Sequence, residues 1–511
     1  MGVVETENLS EDIEKQIRTL KKGKACGFDG VENEAWLYSE GAVREKIKEI
    51  IIRVWKGEGF PSSWRTGVIC PIWKKGSKEE PKNYRGITLL STSYKLYAMT
   101  LNEKLTAEIE RFLPDSQAGF RKNRSAIDNA YILNYLIDQQ LSKKSGKLIT
   151  FFIDFKAAFD LVDRKILWQI LEQQLVNKQL IENLKEIYEK TVNIVRINGK
   201  MSEMFETEIG LRQGCPLSPI LFAAYVADLD ECLNRGQAGG MVVGKEKVFT
   251  LAYADDIVMI AEEEEEMLRM MRVLERFTNK RKMVLNTEKS KIMIFKKGRG
   301  KKVKTEWKWK NEIIEEVKKF SYLGITFQKN NGFESHVKER RRKAILAMRQ
   351  TWGIGKRMCP NDFKMKLFLF DKLVMSVLLY GVEIWGWTEN KDVEATQERY
   401  LRWILELDKC TPGYIVREEA KRDKIRIVAG ARAWTYETKI RKRTNNKYLA
   451  SCLHEMDKKE CTRGWRKKTR ILLMEKWLVS QRNNKNVKLR SKYDRRTSEK
   501  RPINTTATAR K

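Results

Sequence analysis

Histidine is almost missing from this 511-residue chain, which has only two, His336 and His454. Histidine-based hydrolysis and histidine-built metal centres therefore have almost no material, and any catalysis must rest on carboxylates and lysines. Long apolar runs are also missing. The best stretch, Leu367 to Trp387, is broken by Asp371, Lys372 and Glu383, which argues against a membrane span. The opening residues, MGVVETENLS, lack the basic-then-apolar order of a secretory signal. Cysteines are sparse, eight in all with no regular spacing, as expected of reduced thiols in a nuclear or cytoplasmic protein. Cys452, His454 and Cys461 are close in sequence, but no CxxC pair accompanies them, so they read as ordinary residues of a helical segment.

What the chain has in excess is positive charge. Its 101 Lys+Arg against 68 Asp+Glu leave a formal charge of +33, while 42% apolar residues suffice for a sizeable core and exclude wholesale disorder. Such a surface calls for a polyanionic partner whose phosphates it neutralises with release of counterions. The final segment, Gln481 to Lys511, reads as a flexible basic tail. Composition points to nucleic acid without saying what is done to it.

Periodicity predicts helices near Glu11–Leu20, Val43–Trp55, Leu96–Phe112 and Ala126–Leu141, with GVICPIW as a strand. In the middle third, KLITFFIDF is an apolar, β-rich run ending in Asp154. Helices follow at Arg164–Gln173 and Gln179–Glu189, and Pro216 and Pro219 open one expected to run through Leu229. KVFTLAY and IVMIA flank Ala254-Asp255-Asp256 and read as a tight hairpin with acids at its turn. The Glu262–Glu266 run reads as a solvated helix face. Helical patterns dominate from about Ser335, including Asp362–Gly381 and Val393–Leu407. Trp352, Trp385, Trp387 and Trp403 are expected in the core. Mixed elements followed by helices indicate an α+β core with a helical module after it.

The chemistry concentrates in the acids. Asp154 ends an apolar strand, and Asp255-Asp256 sits in a hairpin 101 residues later. Three carboxylates on adjacent strand ends repel one another unless a cation shares them, an arrangement suited to Mg²⁺ and to in-line displacement at phosphorus.

These residues carry a family resemblance. LAYADDIVMIA, with Asp255 and Asp256, resembles the polymerase hairpin of reverse transcriptases. FFIDFKAAFD, with Asp154, resembles their first metal-binding motif in its non-long-terminal-repeat (LINE-type) form. GLRQGCPLSPILFAAYVADL resembles the nucleotide- and template-contacting motif between them. KACGFDGVENE, WRTGVICPIWKKG, NYRGITLLSTSYKL, QAGFRKNRSAIDN, LNTEKSKIM and FSYLGITF complete the ordered set, over roughly residues 21 to 326. Cys26 and Phe28 stand where the family usually has proline.

The resemblance implies a right-hand polymerase: an N-terminal extension (1–60), basic fingers (61–145), an antiparallel palm (146–328), a helical thumb and connector (329–450) and a basic C-terminal extension (451–511). It implies RNA-directed DNA polymerase activity, adding dNTPs to a DNA primer on an RNA template without a membrane. Two Mg²⁺ ions, or Mn²⁺ in their place, would lie on Asp154, Asp255 and Asp256. Lys289 would protonate leaving pyrophosphate, and Arg85, aided by Lys74 and Lys75, would bind triphosphate. Phe159 would be the steric gate beside the nucleotide, with Phe155, Gln213 and Gly214 also lining its site. Tyr322, Leu323 and Gly324 would form the primer grip, and Arg121 and Arg124 would touch template phosphate. An apurinic-type endonuclease, a Cys-Cys-His-Cys nuclease cluster and an RNase H domain are not recognisable, so the expectation is the polymerase portion of an element or a truncated frame. The rival readings are a remnant that binds nucleic acid without turnover, and a maturase-like RNA-folding factor.

Overall fold

The computed structural model describes residues 8–297, 305–443 and 445–460. The expected basic tail and Cys461 lie outside the described residues. The chain divides into two compact units. The first comprises the described residues up to Asn129, Gln139–Val242 and Lys247–Lys318; the second comprises Ala130–Asp138, Val243–Glu246 and the described residues from Lys319 onward.

In the first unit the run KLITFFI becomes the strand Lys147–Ile153, buried along all but its first residue. Burial on both faces explains its unbroken hydrophobicity. It lies inside a four-stranded antiparallel sheet, between Lys291–Lys296 and Asp256–Ala261, with Thr250–Tyr253 at the far edge. A five-stranded sheet is built on Thr66–Trp73, which pairs with Tyr84–Leu89 antiparallel and with Thr191–Ile197 parallel. One hydrophobic core, from Leu9 and Ile13 through Tyr94, Phe151 and Phe222 to Trp307, joins the regions that the resemblance separates as fingers and palm.

The helices Ala126–Leu141 and Arg164–Gln173 span the residues their periodicity predicts. Glu264–Lys280 buries Met267, Met270, Met271, Leu274 and Phe277 on one stripe. The acidic run before it is more than a solvated face: Glu263 and Glu266 form a capping box, and Lys147 pairs with Glu263 at 2.9 Å.

Other boundaries depart from the periodic pattern. The helix opened by Pro219 stops at Tyr225, and Leu229 begins a second one, Leu229–Arg235. The interruption falls at Asp228, whose carboxylate pairs with the buried Arg281 at 2.6 Å. KVFTLAY is split, with Glu246–Val248 pairing instead with Met241–Val243. In the second unit, Asp362–Gly381 is no single helix: a π-helical segment, Phe370–Val374, separates Phe363–Leu369 from Met375–Leu378. A π segment carries an extra residue per turn and shifts the buried face along the helix.

The second unit opens with the hairpin Lys319–Tyr322 and Ile325–Gln328, which the resemblance groups with the palm. Helices from Glu334–Met358 onward pack around Phe370, Leu378, Trp385 and Tyr400. Trp352 and Trp403 meet at 4.8 Å between ring centroids, and Trp403 meets Tyr400 edge-on, so these tryptophans serve packing. Among the described residues no helix is long and apolar enough to cross a membrane.

His336 is fully buried in this unit. Its Nδ1 accepts the Thr326 N–H at 3.2 Å and its Nε2 faces Tyr380 O at 3.1 Å, which suits only the neutral ring with hydrogen on Nε2. Burial pushes its pKa down to about 4, with Arg340 and Lys343 acting in the same direction. The unfolded chain then binds the extra proton between about pH 6.5 and 4, so stability is full above that window and falls as pH drops through it. The loss expected at pH 4 is roughly 3 kcal/mol. Urea unfolding of wild type and His336→Gln across pH 4–7 checks this: the pH slope should be shallower in the variant, and equal slopes would refute it.

Candidate active site

Asp154 follows the last residue of its strand, and Asp255 and Asp256 sit at the turn and start of the hairpin strand beside it. The register pairs Ile257 with Ile153, so one step further Asp256 stands across from Asp154. The backbone of Asp154 is pinned by the segment after residue 284. Its N–H donates to Ser290 Oγ at 3.0 Å and its carbonyl accepts the Asn286 N–H at 2.8 Å. The hairpin turn passes through Ala254 at φ +59°, a conformation L-residues rarely adopt. Gln117 holds it there, its Oε1 accepting the Ala254 and Gly119 N–H groups at 2.9 Å each. Gly119 packs so closely that a Cβ would lie 2.3 Å from Ala254 N.

The acids sense one another. Burial raises the Asp255 carboxyl above its ordinary value, and the charge of Asp154 raises it further. Asp256 is pushed up to about 6 by loss of surrounding water, then by Asp255 and Asp154. One Asp154 oxygen, Oδ2, is buried without a hydrogen bond; Lys289 Nζ lies 3.4 Å from it. These carboxylates are a hard-oxygen donor set, of the chemistry that divalent cations take. Among the described residues, however, no group of three or more His, Cys, Asp or Glu side chains is drawn tightly enough to hold an ion as it stands. Like charges repel without a counter-ion, and Lys289 is the cation that faces Asp154 here.

Cations stand against these acids. Lys74 is pushed below its ordinary range by burial and by the charges of Arg85 and Lys289, and raised by Asp154 and Asp255. Arg85 is exposed on the strand Tyr84–Leu89, opposite Ile72. Lys75 is exposed in the following loop. Gly214 adopts φ +124°, and a Cβ there would lie 2.5 Å from Thr88 O, so only glycine fits. The ring of Phe159 stacks on Phe222 at 4.7 Å.

Three assignments change. Phe155 lies in the core, so its ring is not presented to a nucleotide. Arg121 is paired with Glu110 at 2.6 Å and donates to Pro114 O at 2.7 Å, while Arg124 is paired with Asp115 at 2.5 Å. Both guanidinium groups brace their own loop rather than face a template. Tyr322 is buried in the second unit, leaving Leu323 at φ +48° and Gly324 at φ +77° as the turn of their hairpin. The Tyr380 hydroxyl donates to Leu323 O at 2.9 Å.

Sequence reasoning missed the scaffold of the nucleotide side. Arg164, buried, donates to the carbonyls of Tyr188, Thr207, Ile209 and Gly210 and to Thr191 Oγ1, over 2.8–3.1 Å. Burial lowers its pKa to about 10. Arg212, also buried, donates to Trp64 O and Arg65 O. Backbone acceptors leave no residue pattern, so only the basic residues themselves could have signalled this.

Residues 72–327 match the family described as reverse transcriptase (RNA-dependent DNA polymerase). The chain belongs to the reverse transcriptase family. It is 28% identical over 418 residues to the probable RNA-directed DNA polymerase from transposon BS of Drosophila melanogaster, covering 78% of this chain and 44% of that protein. It is 24% identical over 382 residues to a Pol polyprotein from a type-1 R2 retrotransposable element of Popillia japonica, covering 73% and 51%. The chain thus spans about half of the length of these reverse transcriptase relatives. A solved telomerase from Candida albicans, in complex with a fragment of telomeric RNA, aligns at 12% identity and TM-score 0.41 over 72% of this chain and 67% of that one, too distant to carry an argument. Dependence on a divalent metal is general to reverse transcriptases.

Gln117→Leu removes the acceptor of the Ala254 and Gly119 N–H groups and the Nε2 donor to Ala254 O. The expected cost in stability is about 1–3 kcal/mol, with loss of nucleotide-adding activity out of proportion to it. Denaturant melts beside primer-extension rates check this; a destabilised variant with undiminished rate would refute the clamp.

Proposed function

We propose that this chain is the polymerising part of a LINE-type retrotransposon protein, adding dNTPs to a DNA 3′-hydroxyl on an RNA template. The observation that supports the reading is that Asp154 and Asp256 stand across from each other at the ends of paired buried strands, with Asp255 beside them at the turn and the charges of Lys74, Arg85 and Lys289 acting on them. Arg85 and Lys74 would bind the triphosphate, the guanidinium by paired hydrogen bonds. Gly214, packed against Thr88 O, would set the backbone beside the nucleotide, and the stacked ring of Phe159 would stand against a 2′-hydroxyl. Lys289, already beside Asp154, would donate a proton to leaving pyrophosphate. Asp154 and Asp255, with Asp256, would hold Mg²⁺ or Mn²⁺, which when bound neutralises phosphate charge and acidifies the primer hydroxyl. The turn at Leu323 and Gly324 is the candidate primer contact, and the +33 charge favours the nucleic acid strands themselves.

Primer extension on an RNA template, wild type against Asp255→Asn, tests the reading. Extension should need Mg²⁺ and fall by about three orders of magnitude in the variant, while filter binding of the template–primer persists. Binding by both proteins with extension by neither would overturn the reading in favour of a non-catalytic nucleic-acid binder.

A further inference from the structure

Asp160 is a carboxylate that the reaction above does not use, although it stands among the groups assigned to the nucleotide. Its Oδ1 accepts a hydrogen bond from Gln213 Nε2 at 2.7 Å; burial raises its carboxyl above the ordinary value, and the Gln213 hydrogen bond and the charges of Arg85 and Lys74 oppose that rise. The backbones on either side are fixed independently of this bond. The Asp160 N–H donates to Ala157 O at 2.9 Å, and the Leu211 N–H donates to Phe159 O at 2.8 Å. Gly210 packs so tightly that a Cβ would lie 2.6 Å from Asp160 O. On the other side, Gln213 O accepts the Thr88 N–H at 2.7 Å.

A primary amide has a donor end and an acceptor end, whereas an ionised carboxylate only accepts. Beside Asp160, therefore, the Gln213 side chain has one stable orientation, with Nε2 turned to the carboxylate and Oε1 turned away. We propose that Asp160 is a positioning residue that fixes the Gln213 amide, so that the incoming dNTP meets an acceptor for one of its hydroxyl or N–H groups. The inference rests on the reading of Gln213 as a nucleotide contact. Asp160 does not itself touch substrate; it decides which end of its neighbour does.

The test is a double-mutant cycle in primer extension with dNTP varied: wild type, Asp160→Asn, Gln213→Ala and the double variant. Asparagine can donate as well as accept, so it admits both amide orientations. Asp160→Asn should raise the dNTP KM about tenfold, the worth of one hydrogen bond to a charged group, with kcat much less affected. The double variant should be no worse than Gln213→Ala alone, and Asp160→Glu should recover part of the lost affinity. An unchanged KM in Asp160→Asn, or effects that multiply in the double variant, would overturn the proposal. Thermal melting of the same four proteins reads the pair without turnover: melting shifts that fail to add support the coupling, and additive shifts sink it. A wild type that extends no primer refutes the polymerase reading instead, and the melting cycle still decides on Asp160.

Discussion

The pairing of Lys147–Ile153 with Asp256–Ala261 is the constraint on which the chemistry of this molecule depends. Side chains alternate along strands, so a slip of one residue would carry Asp256 to the other face and break its juxtaposition with Asp154. Both strands are apolar on both faces, so hydrophobicity alone does not forbid that slip; the hydrogen bonds of Gln117 to the turn and of Asn286 and Ser290 to Asp154 hold the register. Asp255 and Asp256 bear a cost there, losing water at the strand end and left with raised affinity for protons. Contacts from two separate segments, one at Gln117 and one at Asn286 and Ser290, hold them in that unfavourable place. Strain of this kind is sustained only where the surroundings over-determine it.

Across from the acids the protein sets cations on a different sheet. Lys74 and Arg85 come from the two ends of one loop, and that loop returns the chain along the same strand pair. The site therefore has a negative floor on the four-stranded sheet and a positive wall on the five-stranded one, within a single hydrophobic core. That separation of charge is what the proposed reaction would call on, the wall for a polyphosphate and the floor for a divalent cation.

Much of this was legible because the signals are local. An apolar run ending in Asp154 and an acid pair between two apolar runs announce strands and a hairpin, and long periodic helices such as Ala126–Leu141 declare their own bounds. The signals fail where distant partners decide. Nothing near Leu229 shows that Asp228 is drawn to Arg281, and nothing in Phe363–Leu378 shows that one turn will widen. Arg121 and Arg124 lie in a basic stretch that looks made for phosphate, yet Glu110 and Asp115, some ten residues before them, claim both. Asp160 was visible as an acid six residues after Asp154, but its partner is 53 residues away.

The hub at Arg164 has a consequence for where the molecule can yield. Its planar fork ties four carbonyls and a hydroxyl from the segments 188–191 and 207–210, a span that a lysine's single ammonium cannot bridge. The stretch leading to Gln213 is thereby anchored like a doorpost, with no slack to swing. The turn between Trp73 and Tyr84, by contrast, is exposed along almost its whole length, so what give there is on this side lies with the segment that carries the lysines.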